Sequence, residues 1–236
     1  MKTRKLILGL ALSLAVGPLG NAASISLVNP SFEDDDIAAN SYTSASTRPT
    51  GWSGGAGSSY IADGAIFDGA QGSISGAHTG DQYVVLGNAG ANLRQYTGLS
   101  WSGIQVGDVL TISAWVTGRS NLANNTNITF WINDSNGSGL NSSNAGTIDG
   151  PASRSELTPG TWSLTSWSYT VTEDFLDAAI AGNWGTVEIG FGQFGGSSTR
   201  QLAFDDISFT HTPVPEPSAV LSGLLAGGLL LRRRRC

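Results

Sequence analysis

Hydrophobic residues recur at every second position over several short stretches of this chain. That is the period of a strand whose two faces meet different surroundings. The stretches "QYVVLG" (82–87), "DVLTISAWVTG" (108–118), "TNITFWIND" (126–134), "TSWSYTVT" (165–172), "TVEIGFGQF" (186–194) and "QLAFDDISFT" (201–210) all read as strands. In the second, Leu110, Ile112, Ala114 and Val116 share one face, and Thr111, Ser113 and Trp115 share the other. In the third, Ile128, Phe130 and Ile132 lie opposite Thr129, Trp131 and Asn133. Clusters of Gly, Asn and Ser, such as "NDSNGSGLNSSNAG" (133–146), punctuate the strands and predict turns and loops. A single helix is predicted at "TEDFLDAAIAG" (172–182), from its Thr cap, early acids and closing glycine. Several antiparallel strands with long loops imply an all-β fold, a two-sheet antiparallel sandwich over residues 24–210.

Both ends break this pattern. Lys2, Arg4 and Lys5 precede an apolar run from Leu6 to Val16, followed by Gly17-Pro18 and the small residues Gly20, Ala22 and Ala23. This three-part layout predicts a signal peptide over residues 1–23, cleaved after Ala22 or Ala23. The run is too short for the roughly 20 residues that a helix needs to span a bilayer. At the other end, a short linker (211–217) carrying Pro215, Glu216 and Pro217 leads into a mostly apolar stretch, Ala219 to Leu231. Arg232, Arg233, Arg234 and Arg235 follow directly. Residues 218–236 are thus expected to form a short C-terminal hydrophobic helix. Its arginines would stay cytoplasmic and hold an exported body at the membrane.

Charge sharpens the division. Residues 24–213 hold five arginines against 17 acidic residues, a net charge of −12, with no lysine. Such a body repels phosphate backbones, so a nucleic-acid partner is not expected. The only cysteine, Cys236, is the last residue, which leaves no intramolecular disulfide.

Two resemblances follow from these residues. The proline-glutamate-proline turn, the apolar stretch and the arginine cluster resemble, in order and spacing, the PEP-CTERM sorting signal of Gram-negative bacteria. The resemblance implies recognition and removal of the tail by an exosortase-type membrane transpeptidase. It also implies a protein exported through the inner membrane, transiently anchored there, and delivered to the cell surface or an exopolysaccharide matrix. Within the body, "SLVNPSFEDDD" (26–36), Gly51-Trp52, "HTGDQYVVLG" (78–87), "NLRQYTGLSWSGIQVGDVLTISAWV" (92–116) and the closing "QLAFDDISF" (201–209) resemble the galactose-binding-like jelly rolls, carbohydrate-binding modules among them.

In those jelly rolls a structural calcium often joins the first and last strands. The resemblance places Glu33, Asp205 and Asp206 as its carboxylate ligands, with Asp34 to Asp36 either adding oxygens or forming a solvated loop. By alternation with Ile207 and Phe209, Asp205 is expected to face the core, where a charge needs a partner. Backbone amides or an arginine would serve in place of calcium. For polysaccharide contact, sugar rings stack on aromatic faces while polar groups fix their hydroxyls. Trp115 and Trp131, each among polar neighbours, are the candidate platform, with Arg119 and Asn133 beside them; the alternative is that loops cover these tryptophans. Trp52, Trp101, Trp162 and Trp167 are expected to pack the sandwich or its rims.

Catalysis is not expected. His78 and His211 are the only histidines and lie far apart in the sequence, and neither G-x-S-x-G nor H-E-x-x-H occurs. The expectation is therefore a non-enzymatic surface protein that contacts polysaccharide. A purely structural matrix component and a glycan-active hydrolase are the alternatives.

Overall fold

A computed structural model describes residues 21–214, apart from 45, 55–57, 66–73, 88–89, 120–125, 134–138, 143–144 and 195–200. The apolar run of the signal peptide, the Pro-Glu-Pro motif, the C-terminal hydrophobic stretch and the arginine cluster lie outside the described residues. Among the described residues, no helix is long and apolar enough to cross a membrane. The fold below is that of the compact unit Ala22–Pro213.

The chain is all-β, built from two antiparallel sheets. The strands in chain order are β1 (Ala23–Ile25), β2 (Ser59–Asp63), β3 (Gln82–Leu86), β4 (Asn92–Ser100), β5 (Val109–Gly118) and β6 (Asn127–Asn133). They continue with β7 (Gly139–Asn141), β8 (Thr147–Asp149), β9 (Ser163–Thr170), β10 (Thr186–Phe194) and β11 (Leu202–Thr212). The larger sheet runs β2-β3-β11-β5-β9-β8, with β1 also paired to β11. The smaller runs β4-β10-β6-β7.

The alternation read from the sequence sets the core. Leu110, Ile112, Ala114 and Val116 of β5 are all fully buried and meet Phe130 and Ile132 of β6 in one cluster. Phe191 of β10 and Phe204 of β11 join the two sheets directly, with ring centroids 4.7 Å apart. Trp52, Trp101 and Trp167 are buried in the same core, while Trp162 packs on a smaller cluster around Tyr83 and Val85. Helix α1 (Glu173–Ala181) starts where its cap predicts: Thr172 Oγ1 accepts from the Phe175 amide, with Glu173 and Asp174 in the first turn. Its Phe175 packs edge-on against Trp101 and Trp184.

Two local readings change. β11 extends to Thr212, so His211, expected in the linker, is a strand residue paired with Leu110 and with Ala23. Its Nε2 lies 2.7 Å from Asp108 Oδ2. The facing of Asp205 is also reversed. Phe204 and Ile207 both enter the core, which requires one extra residue between them. Asp206 supplies it as a β-bulge, with φ at +47°, and the register with β5 shifts between Asp205 and Ser208. Asp205 therefore pairs with Trp115 on the outer face of the larger sheet rather than facing the core.

Candidate functional site

The outer faces of the two sheets each hold part of the expected chemistry. On the larger sheet, the segment 78–82 is clasped by carboxylates from both ends of the fold. Asp205 Oδ2 accepts from the amides of His78 (2.8 Å) and Thr79 (3.2 Å), and its Oδ1 from the Asp206 amide (2.7 Å). Glu33 Oε1 accepts from the amides of Asp81 (3.1 Å) and Gln82 (2.8 Å). Asp206 takes Thr79 Oγ1 at 2.7 Å and lies 2.6 Å from His78 Nδ1. Gly80 turns with φ at +62°, and a Cβ there would come within 2.4 Å of Glu33 Oε1. Burial pushes Asp205 up to about 7, against the pull of its amide donors; the neighbouring Asp206 charge adds to the rise.

The expected calcium ligands thus converge on one loop, but through N–H donors. A carboxylate turned toward amide hydrogens already faces positive partial charge, the role a cation would fill. Among the described residues, no three or more His, Cys, Asp or Glu side chains gather in a metal-holding group. As placed here, these carboxylates face N–H donors rather than a cation.

Trp115 and Trp131 do not form one platform. They belong to different sheets, Trp115 to β5 and Trp131 to β6. The Trp115 indole is stacked on the His78 imidazole, with centroids 3.8 Å apart and planes 14° apart, so a side chain occupies the face expected for a sugar. Arg119, just past β5, donates to Gln201 Oε1 rather than joining Trp131. Asn133 remains in β6, in register with Glu188 of β10.

The smaller sheet gathers polar residues that alternation alone did not connect. Arg94, Gly190 and Trp131 form one row across β4, β10 and β6. Asn92, Gly192 and Thr129 form the next row on one side. Tyr96, Glu188 and Asn133 form the row on the other. Directly opposed antiparallel residues project to the same face, and here the inner positions Ile189, Phe191, Phe130 and Ile132 fill the core. Apart from Asn133, placed here by register alone, the residues of these rows therefore share the outer face.

Glycine makes that face possible. A Cβ on Gly190 would lie 2.2 Å from Trp131 Cε2, and one on Gly192 3.0 Å from Trp131 Cη2. The indole lies on a floor that only glycine provides. It is 7 % exposed, so it is a flank of the site rather than an open platform. Arg94 Nη1 donates to Glu188 Oε1 at 3.4 Å, and Glu188 is buried.

Six buried side-chain polar atoms have no partner among the described residues, and half of them sit together here: Arg94 Nε, Trp131 Nε1 and Thr129 Oγ1. Buried polar atoms are satisfied almost everywhere in folded proteins, so three orphans on one sheet face set this place apart. The alternating Gly190 and Gly192, opposite the core positions of β10, were the available sequence signal. A glycine within a strand often marks close approach of another group. Arg94 and Glu188 carried no such signal, because their meeting depends on strand pairing.

No protein-family model and no curated protein matches the sequence. Solved structures share its fold. A cyclase from Fischerella sp. TAU aligns over 83% of this chain and 100% of its own, at 13% identity and a TM-score of 0.58. A Stig cyclase from the same source, in complex with (3Z)-3-(1-methyl-2-pyrrolidinylidene)-3H-indole, aligns with the same coverage and identity at 0.57. The CBM22-1 xylan-binding domain of Paenibacillus barcinonensis Xyn10C aligns over 84% of this chain and 97% of its own, at 12% identity and a TM-score of 0.45. The cyclases overturn the expectation that the chain is not an enzyme. A fold that carries cyclases is not made non-catalytic by the absence of familiar hydrolase motifs. At these identities the likeness is one of fold.

Proposed function

We propose that the chain is an exported surface or matrix protein whose β-sandwich contacts carbohydrate across the outer face of the four-stranded sheet. The observation that carries the contact is the group of buried, unpartnered polar atoms, Arg94 Nε, Trp131 Nε1 and Thr129 Oγ1, beside the Arg94–Glu188 pair. Sugar hydroxyls both donate and accept, so they suit a site offering N–H donors, a hydroxyl and a carboxylate. Exposed aromatic rings on the same face, Tyr96 and Phe194, suit the apolar faces of sugar rings.

The export part of the reading is supported by the two terminal segments of the sequence. The basic-apolar-small order at residues 1–23 suits a signal peptide. Pro215-Glu216-Pro217, the apolar stretch and Arg232 to Arg235 suit an exosortase-type membrane transpeptidase, with membrane attachment through the tail before processing.

The two parts have separate tests. Trp131→Phe keeps an aromatic ring but removes the N–H together with the five-membered part of the indole, and Arg94→Ala removes the guanidinium. Each is expected to weaken polysaccharide binding about tenfold, the size of one lost hydrogen bond in a buried site. Unchanged affinity in both variants, or no glycan bound by the wild type, overturns the contact. For export, the surface form is expected to begin at Ala23 or Ser24 and to lack residues 218–236; a surface form that keeps its arginine cluster overturns the sorting reading.

A further inference from the structure

The outer face of the four-stranded sheet carries two open aromatic rings. Tyr96 is 51 % exposed and Phe194 43 % exposed. Tyr96 lies in register with Glu188, and Phe194 with Asn127, on the same face. Their rows are six residues apart along β10, about 20 Å at the usual rise of a strand. Between the rows lie Arg94, the floor of Gly190 and Gly192, and Trp131, which meets Phe194 edge-on at 6.0 Å; Glu188, in the Tyr96 row, accepts from Arg94. The order along the face is thus ring, polar centre, ring.

Charge narrows the ligand. Among the strand positions of this face, Arg94 and Glu188 are the charged residues, and they face each other. Neither leaves a net charge to attract an ionic ligand, and a body of net charge −12 repels an acidic polymer. An open face of this length, with an aromatic ring near each end, suits several sugars in a row better than a single one.

Resting on the carbohydrate reading above, we infer that the site takes an internal stretch of a linear, neutral polysaccharide. Tyr96 and Phe194 are the outer subsites, and the Arg94–Glu188–Trp131 group is the central one. The outer rings determine chain-length preference, and the central group determines whether sugar binds at all.

The test titrates the full chain with cello-, xylo- and β-1,4-galacto-oligosaccharides of two to six units, and with oligogalacturonates of the same lengths. For the neutral series that binds, affinity is expected to rise at least tenfold from two to six units. Tyr96→Ala and Phe194→Ala each remove most of that rise. Both rings are largely exposed, so circular dichroism and melting curves of the variants should match the wild type. Equal affinity for short and long chains, or full length dependence in both variants, overturns this inference and leaves the carbohydrate reading standing. Preference for oligogalacturonates overturns the neutral-ligand assignment. Binding of none of these sugars or of any polysaccharide overturns both.

Discussion

The imidazole of His78 lies flat on the indole of Trp115, 3.8 Å between centroids, while its Nδ1 sits 2.6 Å from Asp206. A residue from a loop and two from neighbouring strands are thereby locked together on the larger sheet. His78→Ala is expected to uncover the indole and shift its fluorescence to longer wavelength. Loss of the stack and the Asp206 contact should lower stability by about 1–2 kcal/mol. Glycan affinity should not change, because the proposed contact is on the other sheet. Measuring melting and binding on one sample checks both halves of the expectation.

Glu33 and Asp205 hold the 78–82 loop through amide N–H groups, so chelation should not release it. The expected result is one melting curve with EDTA and with added calcium. Glu33→Ala, which strips two amides of their acceptor, should lower stability by about 1–3 kcal/mol. A calcium-dependent rise in melting temperature would show the same carboxylates turning to a cation.

Asp205 makes stability depend on pH. Its folded value is pushed up to about 7 by burial, above the roughly 3.9 of an unfolded aspartate. The folded state therefore holds the proton more tightly. Its contribution to stability is fully present below about pH 4, shrinks as pH rises toward 7, and is absent above that. Denaturant midpoints between pH 4 and 8 should carry this downward contribution in the wild type. Asp205→Asn, which does not titrate, should lack it.

Gly190 tests the construction of the smaller sheet's outer face. An alanine there places a methyl 2.2 Å from the Trp131 ring. The indole must move, and the strain should cost about 1–3 kcal/mol. Glycan affinity should fall at least as far as in Trp131→Phe. Gly98→Ala is the contrast. Nothing lies within 4 Å of its Cβ position, but its φ of +73° is unfavourable for alanine. Its effect should appear in stability and not in binding.

Phe204 is the core control. It is fully buried and its ring centroid is 4.7 Å from that of Phe191 across the two sheets. Phe204→Ala should destabilise by about 3–5 kcal/mol. Binding, measured at a temperature where the variant remains folded, should be retained.

Much of the architecture was legible residue by residue. Alternation put Leu110, Ile112, Ala114 and Val116 on the inner face of β5, and Trp131 on the outer face of β6. The Thr172 cap and its acids located α1. These are local properties: side-chain direction in a strand repeats every two residues, and a cap bonds within one turn. Strand partners are not local. No feature of either segment says that β5 joins the seven-stranded sheet and β6 the four-stranded one, and that choice separated Trp115 from Trp131. The bulge at Asp206 is one inserted residue, invisible to periodicity, yet it turned Asp205 to the outer face. Pairing of β4, β10 and β6 alone brought Arg94, Glu188 and Trp131 together from positions far apart in the chain. The likeness to cyclases is likewise a property of topology, which short motifs do not encode. Sequence periodicity determined which side of each strand is apolar. Tertiary pairing decided which polar sides share a surface, because hydrogen bonds between strands are made by the backbone, which is the same for every residue.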